Sequence, residues 1–254
     1  MLILCAGCSK ESPDPIDSSS ENTVVLKPTE PEIPPTEESS SSSEPEEPPA
    51  EEEKPESEIP QPEDTSVLIL VNPWNYIPDG YAPVLENVQG KYNLDIKAAE
   101  SAKALVAAAK EAGFNMVLCS AYRTVEKSAE LYQRKVNQYL SYGYSEENAK
   151  IEAAKWVAPP GTSEHHTGLA MDLVSSDYWN YYSDLEHDYE NFASFKWLYE
   201  HCAEFGFILR YPKDKQDVTG ITYEPWHYRY VGVEAATYIM ENGLCLEEYL
   251  ELIK

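Results

Sequence analysis

Apolar positions are distributed very unevenly along the chain, and their spacing predicts a folded body that begins near residue 66. Residues 67–71, V-L-I-L-V, form a short unbroken apolar run expected to be a buried strand, followed by a loop through Asn72, Pro73 and Pro78. Residues 97–111 are alanine-rich and free of Gly and Pro, so they predict a helix that Gly113 stops. A strand is expected at 115–120, leading into the polar turn A-Y-R-T. Residues 125–141 resume a helical pattern through Leu131, Val136 and Tyr139. A further helix at 146–156 ends before Pro159-Pro160-Gly161. Residues 169–174 fit a strand whose period of two puts Ala170, Asp172 and Val174 on one face and Leu169, Met171 and Leu173 on the other. A helix at 192–204 closes at Gly206, F-I-L-R follows as a strand, 227–231 alternates as a last strand, and helices are expected at 233–242 and 246–252. Helices and strands are interspersed without the regular alternation of a doubly wound sheet. The predicted class is therefore α+β, with a central antiparallel sheet flanked by helices.

Composition separates the rest of the chain from this body. None of the 29 aromatic residues precedes Trp74, and residues 9–65 hold 18 Asp or Glu against 3 Lys, together with 12 of the 19 prolines. Such a segment cannot bury enough apolar surface to offset its conformational entropy, so it is expected to be a disordered acidic linker. It carries most of the formal charge of −26. That charge repels phosphate backbones and argues against a nucleic-acid partner. The first eight residues, M-L-I-L-C-A-G-C, resemble the end of a bacterial lipoprotein signal in which Cys8 would be lipidated. The expected organisation is thus a signal remnant at 1–8, a linker at 9–65 and a folded body at 66–254, anchored to a membrane outside the cytoplasm and acting as a monomer. Cys119, Cys202 and Cys245 lack metal-type spacing and are expected to be core residues.

The candidate chemistry lies in G-T-S-E-H-H-T-G-L-A-M-D at 161–172 and E-P-W-H at 224–227. Two imidazoles and one carboxylate can hold a zinc ion while leaving a position open, which catalysis requires. His227 and Asp172 are candidate ligands, with either His165 or His166 as the third, because adjacent residues on an extended chain point apart and spacing does not choose between them. Gly168 permits a close backbone approach beside them. Pro225 disfavours the α conformation at Glu224, which excludes the helical H-E-x-x-H arrangement, so a twist or bulge has to bring Glu224 to act on water at the metal. Arg210 and Arg229, in alternating strands, suit either a substrate carboxylate or a structural ion pair. A Cys-His nucleophile built on Cys119 is disfavoured by its apolar neighbours.

S-A-Y-R-T at 120–124, the 161–172 motif and E-P-W-H-Y-R-Y-V-G at 224–232 resemble, in order, the VanY-type D-alanyl-D-alanine carboxypeptidases, zinc peptidases that trim peptidoglycan stems. The resemblance covers most of residues 68–245. It implies the fold shared by hedgehog signalling domains and D-Ala-D-Ala peptidases. It also implies zinc ligands at His165, Asp172 and His227, a general base at Glu224, and a substrate-holding, charge-stabilising role for Arg123, with Ser163 and Tyr122 as further substrate contacts. Many relatives have Gln where this chain has Ser128. The expected activity is release of the terminal D-alanine of stem peptides. The alternatives are an L,D-carboxypeptidase, an endopeptidase on cross-links, or a binding module without turnover.

Overall fold

The computed structural model describes residues 59–254; Cys8, the expected signal remnant and the linker up to residue 58 lie outside the described residues. The packed body reaches N-terminal of the expected start at 66. Pro62 is buried and its ring meets the backbone at Gly232, while the Tyr249 hydroxyl donates to the Pro60 carbonyl at 2.6 Å. The apolar run at 67–71 is not a strand. Thr65–Leu68 is a 3-10 turn capped by Asp64, and the carbonyls of Val67 and Ile69 accept hydrogen bonds from the Arg229 guanidinium. A side chain takes the place that a neighbouring strand would fill, and the apolar side chains Val67 and Leu68 are buried in either case.

A hairpin that the alternation did not predict comes next, β1 (Leu85–Gln89) and β2 (Tyr92–Asp95), antiparallel with a register shift between Asn87 and Gln89. Asp95 ends the hairpin and caps α1 (Ile96–Glu111), its carboxylate accepting from the Lys97 amide. The buried face of α1 is Ala98, Ala99, Ala102, Leu105 and Ala109, a helical spacing whose small residues allow close packing on the core. β3 (Met116–Ser120) then runs to the turn bearing Arg123. Thr124 and Ser145 cap α2 (Val125–Ser141) and α3 (Glu146–Ala154) with their hydroxyls. These two helices form a hairpin with its own small core of Val136, Ala149 and Ala153, flanked by Tyr132 and Tyr139.

β4 (Ala170–Ser175) is buried along its whole length, so both of its faces are covered. It is followed by α4 (Ser176–Tyr182), α5 (Ala193–His201), a 3-10 turn closing at Gly206, β5 (Phe207–Leu209), the short α6 (Gln216–Thr219), β6 (His227–Tyr230), α7 (Val233–Glu241) and α8 (Leu246–Leu252). The main sheet has the order β3-β4-β6-β5, antiparallel throughout, with α5 against β4 and α7 against β5. The α+β architecture with a central antiparallel sheet is the one expected. Cys202 and Cys245 are buried free thiols and Cys119 is half-buried.

Candidate active site

The register of the central strands assembles the site. Asp172 on β4 is the cross-strand partner of both Ser120 on β3 and His227 on β6, so two of the candidate ligands meet directly across the sheet. His165 arrives from a 3-10 turn, Glu164–Thr167, which ends in the left-handed region at Gly168, φ 70°. Glycine is required there twice over. A Cβ would lie 2.9 Å from the Asp95 amide nitrogen, the same amide that donates to the Gly168 carbonyl at 2.8 Å. The β2–α1 junction thereby buttresses the turn that presents His165.

The three side chains converge: His165 Nε2 is 3.3 Å from Asp172 Oδ2, and His227 Nδ1 is 3.0 Å from Asp172 Oδ1. One ligand atom from each lies within 4.8 Å of the others, the single such group among the described residues. A tetrahedral zinc with bonds of about 2.1 Å separates its ligands by about 3.4 Å, close to the 3.3 and 3.0 Å between Asp172 and the two imidazoles, and the donor set fits that ion in chemistry.

Each imidazole is oriented from behind. His165 Nδ1 faces the Ala121 carbonyl at 2.9 Å; a carbonyl only accepts, so Nδ1 carries the proton and the Nε2 lone pair points to Asp172. His227 directs Nε2 at Glu164 Oε2, 3.4 Å away, and Nδ1 at Asp172. Glu164 is fully buried between Arg210 Nε and Arg229 Nη1, each 2.7 Å from Oε1. Arg210 also grips Glu247 with both terminal nitrogens, and Glu247 accepts from the buried Asn72. Burial alone would raise the Glu164 carboxyl, but the two guanidiniums outweigh it and hold the group far below the usual carboxylate range. Arg210 and Arg229 are therefore structural ion-pair partners of Glu164. Sequence reasoning missed Glu164. The available signal was an acid next to the histidine pair, matched by two arginines in otherwise apolar strands.

Glu224 reaches the site from a turn, with the His227 amide donating to the Glu224 carbonyl at 3.2 Å; this turn does what a twist or bulge was expected to do. Its Oε2 lies 3.6 Å from His227 Nδ1, and 18% of its side chain remains exposed. Burial pushes its carboxyl up to about 7, with Asp172 adding to the rise and His227 opposing it. Burial drives His165 down to about 4. Burial would lower His227, but the hydrogen bonds its protonated ring donates to Asp172 and Glu164 outweigh it and raise the group to about 9. Asp172 is held far below the carboxylate range, its histidine neighbours outweighing burial.

Arg123 follows β3, with its Nη2 donating to Ser120 Oγ at 3.2 Å and its charge facing Asp172 and Glu224. Ser163 caps the His165 turn without a side-chain bond to it, and the Tyr122 amide donates to the Asn93 carbonyl. His166 points away from the cluster to other partners, Arg123 and Gly161. Ser128 is buried in the first turns of α2 with its hydroxyl unpartnered. The Cys119 thiol is pushed up to about 12, by burial first and Asp172 second, which removes the thiolate that a nucleophile needs.

A family model described as VanY, D-alanyl-D-alanine carboxypeptidase, matches residues 91–233, which span β2 to the start of α7 and include Arg123, Glu164, His165, Asp172, Glu224 and His227. The chain belongs to the VanY family. A D-alanyl-D-alanine carboxypeptidase of Enterococcus faecalis is 46% identical over 187 residues, 74% of this chain and 66% of that protein. The crystal structure of a mutant vancomycin-resistance D,D-pentapeptidase VanY from a VanB-type cassette, in complex with Zn(II), is 44% identical with a TM-score of 0.64, covering 72% of this chain and 98% of that one. VanYB in complex with D-alanine-D-alanine is 45% identical with a TM-score of 0.66, covering 74% and 99%. The matched VanY region contains the strands that carry Asp172 and His227 and the turn that carries Glu224.

Proposed function

We propose that this VanY-family chain is a zinc-dependent D,D-carboxypeptidase that removes the terminal D-alanine of peptidoglycan stem peptides. The observation that carries the reading is the convergence of His165, Asp172 and His227 beside a half-buried carboxyl, Glu224, raised to about 7. These three residues would hold zinc, whose chemistry when bound is that of a Lewis acid, drawing charge from the scissile carbonyl and from water.

The remaining work falls to the chain's own groups. Glu224, with a pKa close to working pH, accepts the proton of the attacking water at a carboxylate oxygen and returns it to the amine of the departing D-alanine. Arg123 commits one donor to Ser120 and keeps the rest of its planar fork for the substrate carboxylate and the charge that develops on the carbonyl oxygen. Ser163 and Tyr122 flank these groups in sequence and are assigned to the substrate peptide. The acidic linker and a lipid at Cys8 would tether the enzyme outside the cytoplasmic membrane, where it acts as a monomer.

The test is incubation of the protein with a stem pentapeptide ending in D-Ala-D-Ala and with a tetrapeptide ending in a single D-alanine, with and without chelator, following released D-alanine. Zinc-dependent release from the pentapeptide is expected. Release from the tetrapeptide alone would replace the reading with L,D specificity, and release from neither would sink it. Detergent partitioning of the full chain beside Cys8→Ala tests the anchor, and equal behaviour would refute it.

A further inference from the structure

His166 takes no part in the chemistry assigned above, yet it is buried, 3% exposed, and both of its ring nitrogens are engaged. Nδ1 lies 2.8 Å from the Arg123 carbonyl, and Nε2 lies 3.3 Å from the Gly161 amide nitrogen. A carbonyl only accepts and an amide only donates, so Nδ1 bears the hydrogen and Nε2 receives one. The neighbouring His165 carbonyl accepts from the Arg123 amide at 3.1 Å. Two consecutive residues of the metal-ligand turn therefore secure both backbone polar groups of Arg123. The second ring nitrogen secures Gly161, the residue at which the chain returns from the α2–α3 hairpin. Gly161 sits at φ 87°, and its carbonyl accepts from the Ile77 amide at 2.8 Å, so this end is held independently of His166.

We propose that His166 is a positioning residue. Its Nδ1 hydrogen bond to the Arg123 carbonyl holds Arg123 in register with the turn that presents His165, while the contact from Nε2 to Gly161 is secondary because that end is held independently. The α2–α3 hairpin has its own small core and begins one residue after Thr124, so without this staple the backbone at Arg123 would follow the hairpin's motion instead of the ligand turn. A guanidinium that must meet a carboxylate and a developing oxyanion loses rate steeply when displaced. The inference rests on the role given to Arg123 under the proposed function.

Two substitutions separate the ends of the staple in the zinc-loaded full chain. His166→Asn keeps a donor close to the Nδ1 position, whereas His166→Gln keeps an acceptor close to the Nε2 position. D-alanine release should fall in kcat/KM roughly ten-fold for His166→Gln, the equivalent of one lost hydrogen bond, with zinc content retained. His166→Asn should stay within about two-fold of the parent. In an Arg123→Ala background neither change should cost anything further, because the residue being positioned is gone. Equal losses for Asn and Gln, no loss for either, or a loss that adds in full to Arg123→Ala would overturn the proposal. Should His166→Gln not fold, a ten-fold loss in His166→Asn alone would overturn it and retention would support it. Hydrogen exchange at the Arg123 amide gives a readout independent of turnover. It should quicken in His166→Gln and not in His166→Asn, and the reverse order would overturn the inference even if the substrate proved to be another peptide.

Discussion

Replacing Glu224 by Gln should abolish turnover and, in the metal-stripped protein, stabilise the fold at alkaline pH. The folded-state pKa of about 7 stands above the ordinary value of 4.5, so folding favours the protonated carboxyl. The fold therefore enjoys this contribution in full below pH 4.5, loses it progressively as pH rises through 7, and has none above. At 1.36 kcal/mol per pKa unit the loss is about 3 kcal/mol, an upper figure because part of the side chain still meets water. Glutamine has a similar shape and nothing to ionise. Denaturant midpoints of the two proteins, measured with chelator between pH 4 and 9, should coincide at the acid end and diverge by up to about 3 kcal/mol above pH 7, roughly 6–12 °C in melting temperature for a body of this size. The low pKa values of Asp172 and Glu164 act with the opposite sign, but they are common to both proteins and cancel in the difference. Zinc should narrow the gap, since a nearby cation favours the ionised carboxylate. A difference that is independent of pH, or a less stable Gln variant at pH 8, would show that Glu224 is not the desolvated carboxyl described here; retained D-alanine release would show that it is not the base.

Zinc and a proton compete for His227, whose pKa of about 9 means that the free site is protonated at neutral pH. Zinc uptake at pH 7.5 should therefore release close to one proton per ion in a lightly buffered indicator titration, with affinity climbing as pH rises toward 9; uptake without proton release would contradict the assignment. Glu164→Gln should cost about 3–5 kcal/mol in denaturant unfolding, because two buried guanidiniums lose their shared charge partner. The same change should weaken zinc binding about 10–100-fold in a chelator competition, because His227 loses the carboxylate that orients it; unchanged values on both counts would remove Glu164 from the site.

Much of the fold was legible because periodicity records burial. The helix expected at 125–141 is α2 to the residue, the strands at 115–120, 169–174 and 227–231 are β3, β4 and β6 to within a residue at either end, and Gly113 and Gly206 mark stops. Where burial is not accompanied by pairing, the same signal misleads. The apolar residues 67–71 are packed against the core like a strand, yet the carbonyls of Val67 and Ile69 go to Arg229 and the backbone at Thr65–Leu68 curls into a 3-10 turn. The β1–β2 hairpin was invisible for the opposite reason, since its exposed and half-buried residues show little alternation of polarity.

The site divides along the same line. Residue types and the Pro225 constraint led to a non-helical glutamate beside two histidines and an aspartate. The choice between His165 and His166 was out of reach of spacing, because it depends on which carbonyl each imidazole meets. The Ala121 carbonyl turns the first ring toward Asp172, and the Arg123 carbonyl turns the second away. Both carbonyls belong to the A-Y-R-T turn after β3, more than forty residues away in sequence. The arginine motif and the histidine motif are thus one structural unit: the first supplies the acceptors that sort the two rings, and the second supplies the donors and acceptors that fix Arg123. A substitution that shifts the backbone at 121–123 should therefore disturb metal binding and substrate binding together, although the turn itself contributes no ligand.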